Sequence, residues 1–161
     1  MGQGKLRENM SQDHSAELRE LIVFKVGEME FCVDIIQVRE IRGWTPATPV
    51  PHSPDFMIGV INLRGTVLPV IDLPARLGKG RSEPSARHAV IVVQEDERLT
   101  GLLVDMVSDI ISVEAAAIHP TPDVSSAIAR SFVSGIVTLE GRMISLLSLR
   151  DVLPNPEKKV A

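Results

Sequence analysis

The amino-acid sequence predicts an all-β protein made of two copies of one small barrel-like unit. Its apolar residues are mostly Val, Ile and Leu, and they fall in short runs bounded by Gly, Pro and charged turns. One stretch of the chain also repeats another without a gap. β-branched runs punctuated in this way are strand signals, and a fixed displacement between similar segments signals duplication.

In chain order, residues 21–26 read as a strand, Gly27-Glu28 as a turn and residues 30–33 as a second strand. In the second strand Phe31 and Val33 face one way and Glu30, Cys32 and Asp34 the other, by the two-residue period of the pleat. The period then changes. Ile35, Val38 and Ile41 fall three apart with Ile36 beside them, which predicts about one and a half helical turns, stopped by Gly43. Prolines at 46, 49, 51 and 54 make the next segment extended or irregular. Residues 57–61 and 66–71 are strands about the turn Asn62-Leu63-Arg64-Gly65, and residues 78–85 form a linker. Strands follow at 89–93 and 99–104 around Glu95-Asp96-Glu97, then a short strand at 110–113 and a loop at 119–126. Residues 135–139 and 143–147 form the last pair, and a short helix over 149–153 closes the fold.

The repeat places residues 59–77 over 135–153, a displacement of 135 − 59 = 76. Gly59, Leu63, Gly65, Leu73 and Leu77 recur as Gly135, Leu139, Gly141, Leu149 and Leu153. Pro69, which becomes Ser145, is the one apolar strand position that changes character. Each copy is preceded by a hairpin and a Val-x-acidic-Ile step, Val38-Arg39-Glu40-Ile41 and Val107-Ser108-Asp109-Ile110. A unit of about 65 residues is marginal on its own core. The lobes are therefore expected to share core, with the C-terminal helix folding back on the first. The resulting division is a tail at 1–19, a domain at 20–154 and a tail at 155–161. Within the domain, lobe 1 takes 20–80 with 148–154 and lobe 2 takes 86–147.

Composition removes several functions. A net charge of −4 over 161 residues argues against nucleic acid or anionic membrane as partner. No run approaches the roughly 20 apolar residues of a membrane span. Residues 1–19 lack a signal-peptide core, and the single cysteine, Cys32, cannot form an internal disulfide. A cytoplasmic protein is expected. No catalytic residue is assigned: there is no nucleophile elbow, and Cys32 reads as a small buried residue. His14, His52, His88 and His119 lack metal-ligand spacing, so neither metal nor cofactor is expected. Gly78-Lys79-Gly80-Arg81-Ser82 lacks the spacing of a phosphate loop. Asp34, Asp72 and Asp105 each end a strand and read as turn caps. Positions that differ between the copies are free to carry function. At the hairpin tips, cationic Arg64 stands where the second copy has anionic Glu140.

Phe31-Cys32-Val33-Asp34-Ile35 running into Val38-Arg39-Glu40-Ile41-Arg42-Gly43, the string from Gly59-Val60-Ile61-Asn62-Leu63-Arg64-Gly65 to Ile71-Asp72-Leu73, and Gly101-Leu102-Leu103-Val104-Asp105 with Val107-Ser108-Asp109 resemble the CheW family of bacterial chemotaxis coupling proteins. The likeness covers residues 20–154. It implies two intertwined SH3-like five-stranded barrels and no enzymatic activity. It implies two partners, the cytoplasmic tip of methyl-accepting chemoreceptors and the regulatory domain of the CheA histidine kinase, with ring assembly in receptor arrays beneath the membrane. Carried over by motif, the receptor groove takes Ile35, Val38, Glu40, Gly59, Asn62 and Arg64, with Gly101 and Val107 from the second lobe. The kinase surface falls on exposed barrel edges. The run from Thr45 to Pro51 is richer in proline than the family pattern. Two rivals predict otherwise: an enzyme with its site split between lobes requires a deep polar pocket, and a proline-binding SH3 module requires an aromatic groove, for which the chain offers Trp44 and four phenylalanines.

Overall fold

The computed structural model describes residues 17–121 and 131–154. The expected tails therefore lie outside the described residues except for 17–19, as does the 119–126 loop from residue 122 onward. The strands are β1 (Leu18–Val26), β2 (Met29–Asp34), β3 (Val38–Gly43), β4 (Met57–Leu63), β5 (Thr66–Asp72), β6 (Ala89–Glu95), β7 (Arg98–Val104), β8 (Met106–Glu114), β9 (Ile118–His119), β10 (Val133–Leu139) and β11 (Arg142–Leu147). Single-turn helices α1 (Leu73–Arg76) and α2 (Leu149–Val152) follow β5 and β11.

The strands form two sheets, ordered β8-β1-β2-β11-β10-β9 and β3-β6-β7-β5-β4. The Val-x-acidic-Ile steps set the first half of each copy at a displacement of 107 − 38 = 69, so β1, β2 and β3 correspond to β6, β7 and β8. The second halves, at 76, match β4 to β10 and β5 to β11. Apart from β9, both sheets then have the same order. The first hairpin of each copy has been exchanged into the sheet of the other. The parallel pairings show this residue by residue, with Cys32 beside Leu146 in one sheet and Gly101 beside Val70 in the other. A division into 20–80 and 86–147 does not follow the sheets. One lobe is continuous, β3 to β7, and the other is split, joining β1 and β2 to β8 through β11. Adjacency in sequence could not reveal this, because a hairpin closes its own turn whichever sheet it joins.

Residues 35–41 also depart from the helix expected of them. Only Ile35–Gln37 form a helix, of 3-10 type, and Val38 begins β3. The register shifts between Val38 and Glu40, so that Val38 faces Val93 and Ile41 faces Ile91. This bulge adds one residue to the strand, which turns a period of two into a spacing of three. The apolar spacing was real, but its cause is a bulge.

Exchange creates three cores. Leu21, Val23, Cys32, Ile111, Val137 and Ile144 fill the split lobe, and Leu68, Val70, Val90, Val92 and Leu103 fill the continuous one. Between the sheets lies a third and larger core of Ile22, Phe24, Phe31 and Val33 against Ile71, Leu73, Ile91, Val93, Leu102 and Val104. The strands of the exchanged hairpins are thus buried on both faces, which is why their sequences read as unbroken apolar runs. Leu149, Val152 and Leu153 enter the same core, so α2 does fold back onto the first copy.

Arg76 joins the two copies at this seam. Its Nε donates to the Val152 carbonyl at 2.8 Å and its Nη2 to that of Asp151 at 3.2 Å, satisfying carbonyls at the end of α2. Its guanidinium lies between Phe56 and Phe132, 4.3 and 4.8 Å from the ring centroids. These phenylalanines are themselves repeat partners, since 56 + 76 = 132. One arginine thus bridges equivalent elements of both copies, and burial lowers its pKa. Charge-assisted bonds and cation–π contact together predict that Arg76→Ala costs about 2 kcal/mol, or roughly 4–8 °C in Tm, still within a single transition. Arg76→Lys recovers little, because an ammonium lacks the plane that stacks. A calorimetric scan that splits into two transitions, or an unchanged Tm for Arg76→Ala, contradicts this role.

Candidate functional site

The eight residues carried over from the family motif fall into three groups. Ile35, Val38 and Val107 are half-buried and pack at the margin of the shared core. Val38 and Val107 occupy equivalent positions on β3 and β8, each at the end of its sheet. Beside them Ile41 and Ile110, the last residues of the two Val-x-acidic-Ile steps, are 42% and 57% exposed. Pairing opposite Ile91 and Ile22 sets both on the shared-core face, where they extend its apolar surface into solvent. At one end of this margin, Ile35 and Ile36 join Leu18 in a hollow of about 270 Å³, edged by Glu17, Arg19, Glu20 and Asp34. Ile36 is 80% and Leu18 65% exposed, and Arg19 is held to Asp34 at 2.9 Å. Sequence reasoning left Leu18, Ile36, Ile41 and Ile110 out of the site. The repeated step could have supplied Ile41 and Ile110, whereas nothing in the sequence marks Ile36 as exposed.

Glu40, Asn62 and Arg64 form the polar group. Arg64 Nη2 donates to Glu40 Oε2 at 2.9 Å, and the Gly65 N–H donates to Asn62 Oδ1 at 2.9 Å. The turn is tighter than expected. Leu63 pairs with Thr66, leaving Arg64-Gly65 as a two-residue loop with φ of 51° and 87°. Glu140-Gly141 repeats it at 53° and 80°. Both are turns with positive φ at each central residue, the form whose twist suits a hairpin.

Each lobe ties its β3-type acid to an arginine near this tip, but from different positions. In the continuous lobe Arg64 holds Glu40 and is itself 73% exposed. In the split lobe Arg142 grips Glu30 through two bonds of 3.0 and 2.8 Å and lies 3.9 Å from Asp109, the counterpart of Glu40. Arg142 is therefore committed inside the protein, while Arg64 keeps most of its surface open to solvent.

Gly59 and Gly101 form the third group, and both are buried. A Cβ on Gly101 would lie 2.8 Å from Val90 Cγ1, and one on Gly59 would lie 2.3 Å from the Thr48 carbonyl oxygen. Close packing accounts for both glycines.

The remaining polar candidates serve the backbone. Asp34 Oδ1 accepts the Ile36 N–H, Asp105 Oδ2 accepts the Gly27 N–H at 2.6 Å, and buried Asp72 accepts both the N–H and the hydroxyl of Ser82. Cys32 lies in the split-lobe core, where burial pushes its thiol pKa up to about 12. Among the described residues no cluster of His, Cys, Asp or Glu could hold a metal. No helix there is long and apolar enough to cross a membrane.

The hydrogen bonds from Arg142 hold the Glu30 carboxyl below its ordinary value of 4.5. A depressed folded-state pKa contributes stability above the unfolded value, which is lost as pH falls through the folded one. Glu30→Gln is thus expected to lower Tm at pH 7 and to converge on the parent protein as pH drops below about 4.5. A gap that stays constant down to acid pH would rule the ion pair out as its source.

Comparison with known proteins agrees with this architecture. The model of the CheW-like domain matches residues 20–157. A chemotaxis protein CheW of Rhizobium meliloti (strain 1021) is 57% identical over 143 residues, covering 89% of this chain and 92% of that protein. The CheW of Klebsiella aerogenes is 34% identical, covering 86% and 84%. The crystal structure of the scaffolding protein TtCheW from Thermoanaerobacter tengcongensis superposes with a TM-score of 0.76 at 34% identity, over 83% of this chain and 90% of that one. With its two intertwined β lobes, the chain belongs to the CheW-like family of non-catalytic chemotaxis scaffold proteins.

Proposed function

We propose that this chain couples methyl-accepting chemoreceptors to the CheA histidine kinase, binding the receptor's cytoplasmic tip and the kinase's regulatory domain at separate surfaces. The observation that carries this reading is the apolar edge that the shared core leaves along β3 and β8, where half-buried Ile35, Val38 and Val107 stand with exposed Ile36, Ile41 and Ile110. A receptor tip is a helical hairpin, and such a strip accepts apolar side chains spaced along a helix. Arg19–Asp34 at one end and Glu40–Arg64 beside it supply charges that orient a partner more than they tighten its hold.

The kinase surface is assigned to the exposed barrel ends. Val67 and Met143 are repeat partners, since 67 + 76 = 143, and are 64% and 65% exposed. Beside them the tips carry opposite charges, Arg64 and Glu140. Two like lobes with unlike tips favour head-to-tail contact with a related double barrel, and contacts of that kind close into rings. Such a ring beneath the membrane would hold receptors and kinase in one cytoplasmic array. Signal then passes as a shift between array states, with no bond changed by the adaptor.

Separate titrations of a receptor-tip fragment and the kinase regulatory domain test this reading. Ile36→Asp is expected to weaken the receptor fragment at least tenfold, because about 1.4 kcal/mol is a decade and an unpaired carboxylate at an apolar contact costs more. Its Tm holds, since Ile36 is already solvated. Val38→Asp does the same at some cost in Tm, because Val38 also packs on the core. Arg64→Ala weakens the receptor fragment by about threefold, the scale of a rim charge. Ile36→Asp and Val38→Asp leave the kinase domain's Kd unchanged, whereas Met143→Asp weakens it. Equal loss of both partners in a folded variant would sink the two-surface model.

A further inference from the structure

We infer that the proline-rich loop at 45–51 is a brace that sets the pose of the β4–β5 hairpin, and that Gly59 is the seat of this brace rather than a contact for a partner. The inference rests on the coupling role proposed above, because it assigns Asn62 and Arg64 their positioning element.

The loop is stiffened by its own covalent chemistry. Pro46, Pro49 and Pro51 fix φ, and each biases the residue before it, Thr45, Thr48 and Val50, towards extended backbone. It is fastened to β4 through Thr48. The Thr48 N–H donates to the Val60 carbonyl and the Val60 N–H to the Thr48 carbonyl, both at 2.8 Å. The same Thr48 carbonyl occupies the space that a Cβ on Gly59 would need, 2.3 Å away. Gly59 sits where the β4–β5 register shifts, so the brace closes on the bulge that aims the rest of β4 towards Asn62 and Arg64.

The second copy has the same joint made differently. Ile136, which is 60 + 76, pairs with His119 of β9, and a Cβ added to Gly135 would lie 2.8 Å from the Ile118 Cγ2 methyl and 3.1 Å from the His119 carbonyl oxygen, farther than the 2.3 Å at Gly59. A side-chain methyl can move aside, but the carbonyl of a residue fastened by two backbone hydrogen bonds cannot. The tighter seat therefore belongs to the lobe whose tip arginine is left open.

A double-mutant cycle of Gly59→Ala and Thr48→Pro tests this inference, with the receptor-tip fragment as probe. Thr48→Pro removes one fastening bond, and Gly59→Ala blocks the seat. Each single variant is expected to raise Kd by about threefold, the loss expected of Arg64→Ala, and to speed hydrogen exchange at the Val60 amide. The double variant should fall within about twofold of the worse single, because both release the same brace. Losses that multiply would make Gly59 a contact in its own right and overturn the inference. So would an unchanged Kd despite faster exchange at Val60, or exchange that does not change at all. Failure of the coupling reading looks different: the parent protein does not bind the fragment and Arg64→Ala has nothing to weaken. The brace is then judged on exchange alone. It stands if the Ile61 and Leu68 amides, which pair across the hairpin, speed up with Val60 and falls if they do not.

Discussion

Burial of both faces of the exchanged hairpins is the constraint on which the rest of this molecule depends. In β1, Ile22 and Phe24 belong to the core between the sheets, while Leu21 and Val23 belong to the interior of the split lobe. In β6, Ile91 and Val93 face the shared core and Val90 and Val92 the continuous lobe. Neither lobe can form its barrel without a hairpin from the other copy, and neither hairpin can leave without opening two cores. Removing even one large buried side chain from such a core typically costs 2–5 kcal/mol, so the lobes are expected to fold as one unit. Arg76 secures the seam where α1 and α2 meet.

That constraint also explains where an exposed apolar surface arises. The shared core is wider than the sheets can cover, and it runs out along β3 and β8, the strands at the sheet ends. Apolar residues with a structural role inside therefore continue into solvent as Ile41 and Ile110. Duplication supplies two such ends, and divergence makes them unequal. Arg142 is spent on Glu30 and Asp109, whereas Arg64 makes one bond and remains exposed. A symmetric ancestor would offer the same tip twice. This chain offers a cationic tip and an anionic one.

Much of this was legible in the residues. The ungapped match of 59–77 to 135–153 revealed the duplication, because apolar positions facing a core must recur with the same spacing. The alternation of Phe31 and Val33 against Cys32 assigned β2 to two faces correctly. The hairpin exchange was not legible, because local pattern specifies a strand's faces and says nothing of its neighbour in the sheet. Residues 35–41 misled for a definite reason, since a bulge at Val38 and Glu40 gives a strand the spacing of a helix. Within the candidate site, Ile35, Val38 and Val107 lie at the apolar margin, and Arg64 and Glu40 are joined by an ion pair. Gly59 and Gly101 carry the family motif through packing, a role that needs coordinates to distinguish from contact.

A protein that couples two partners must hold both at once, so coupling depends on simultaneous binding rather than on either affinity. The most direct measurement mixes the chain with receptor-tip fragment and kinase regulatory domain at saturating concentrations and sizes the product by sedimentation velocity. Separate surfaces predict a single complex containing one of each, and a Kd for the kinase domain that moves by less than about threefold when receptor fragment is present. Displacement of one partner by the other, with only two-component complexes at any ratio, would contradict it.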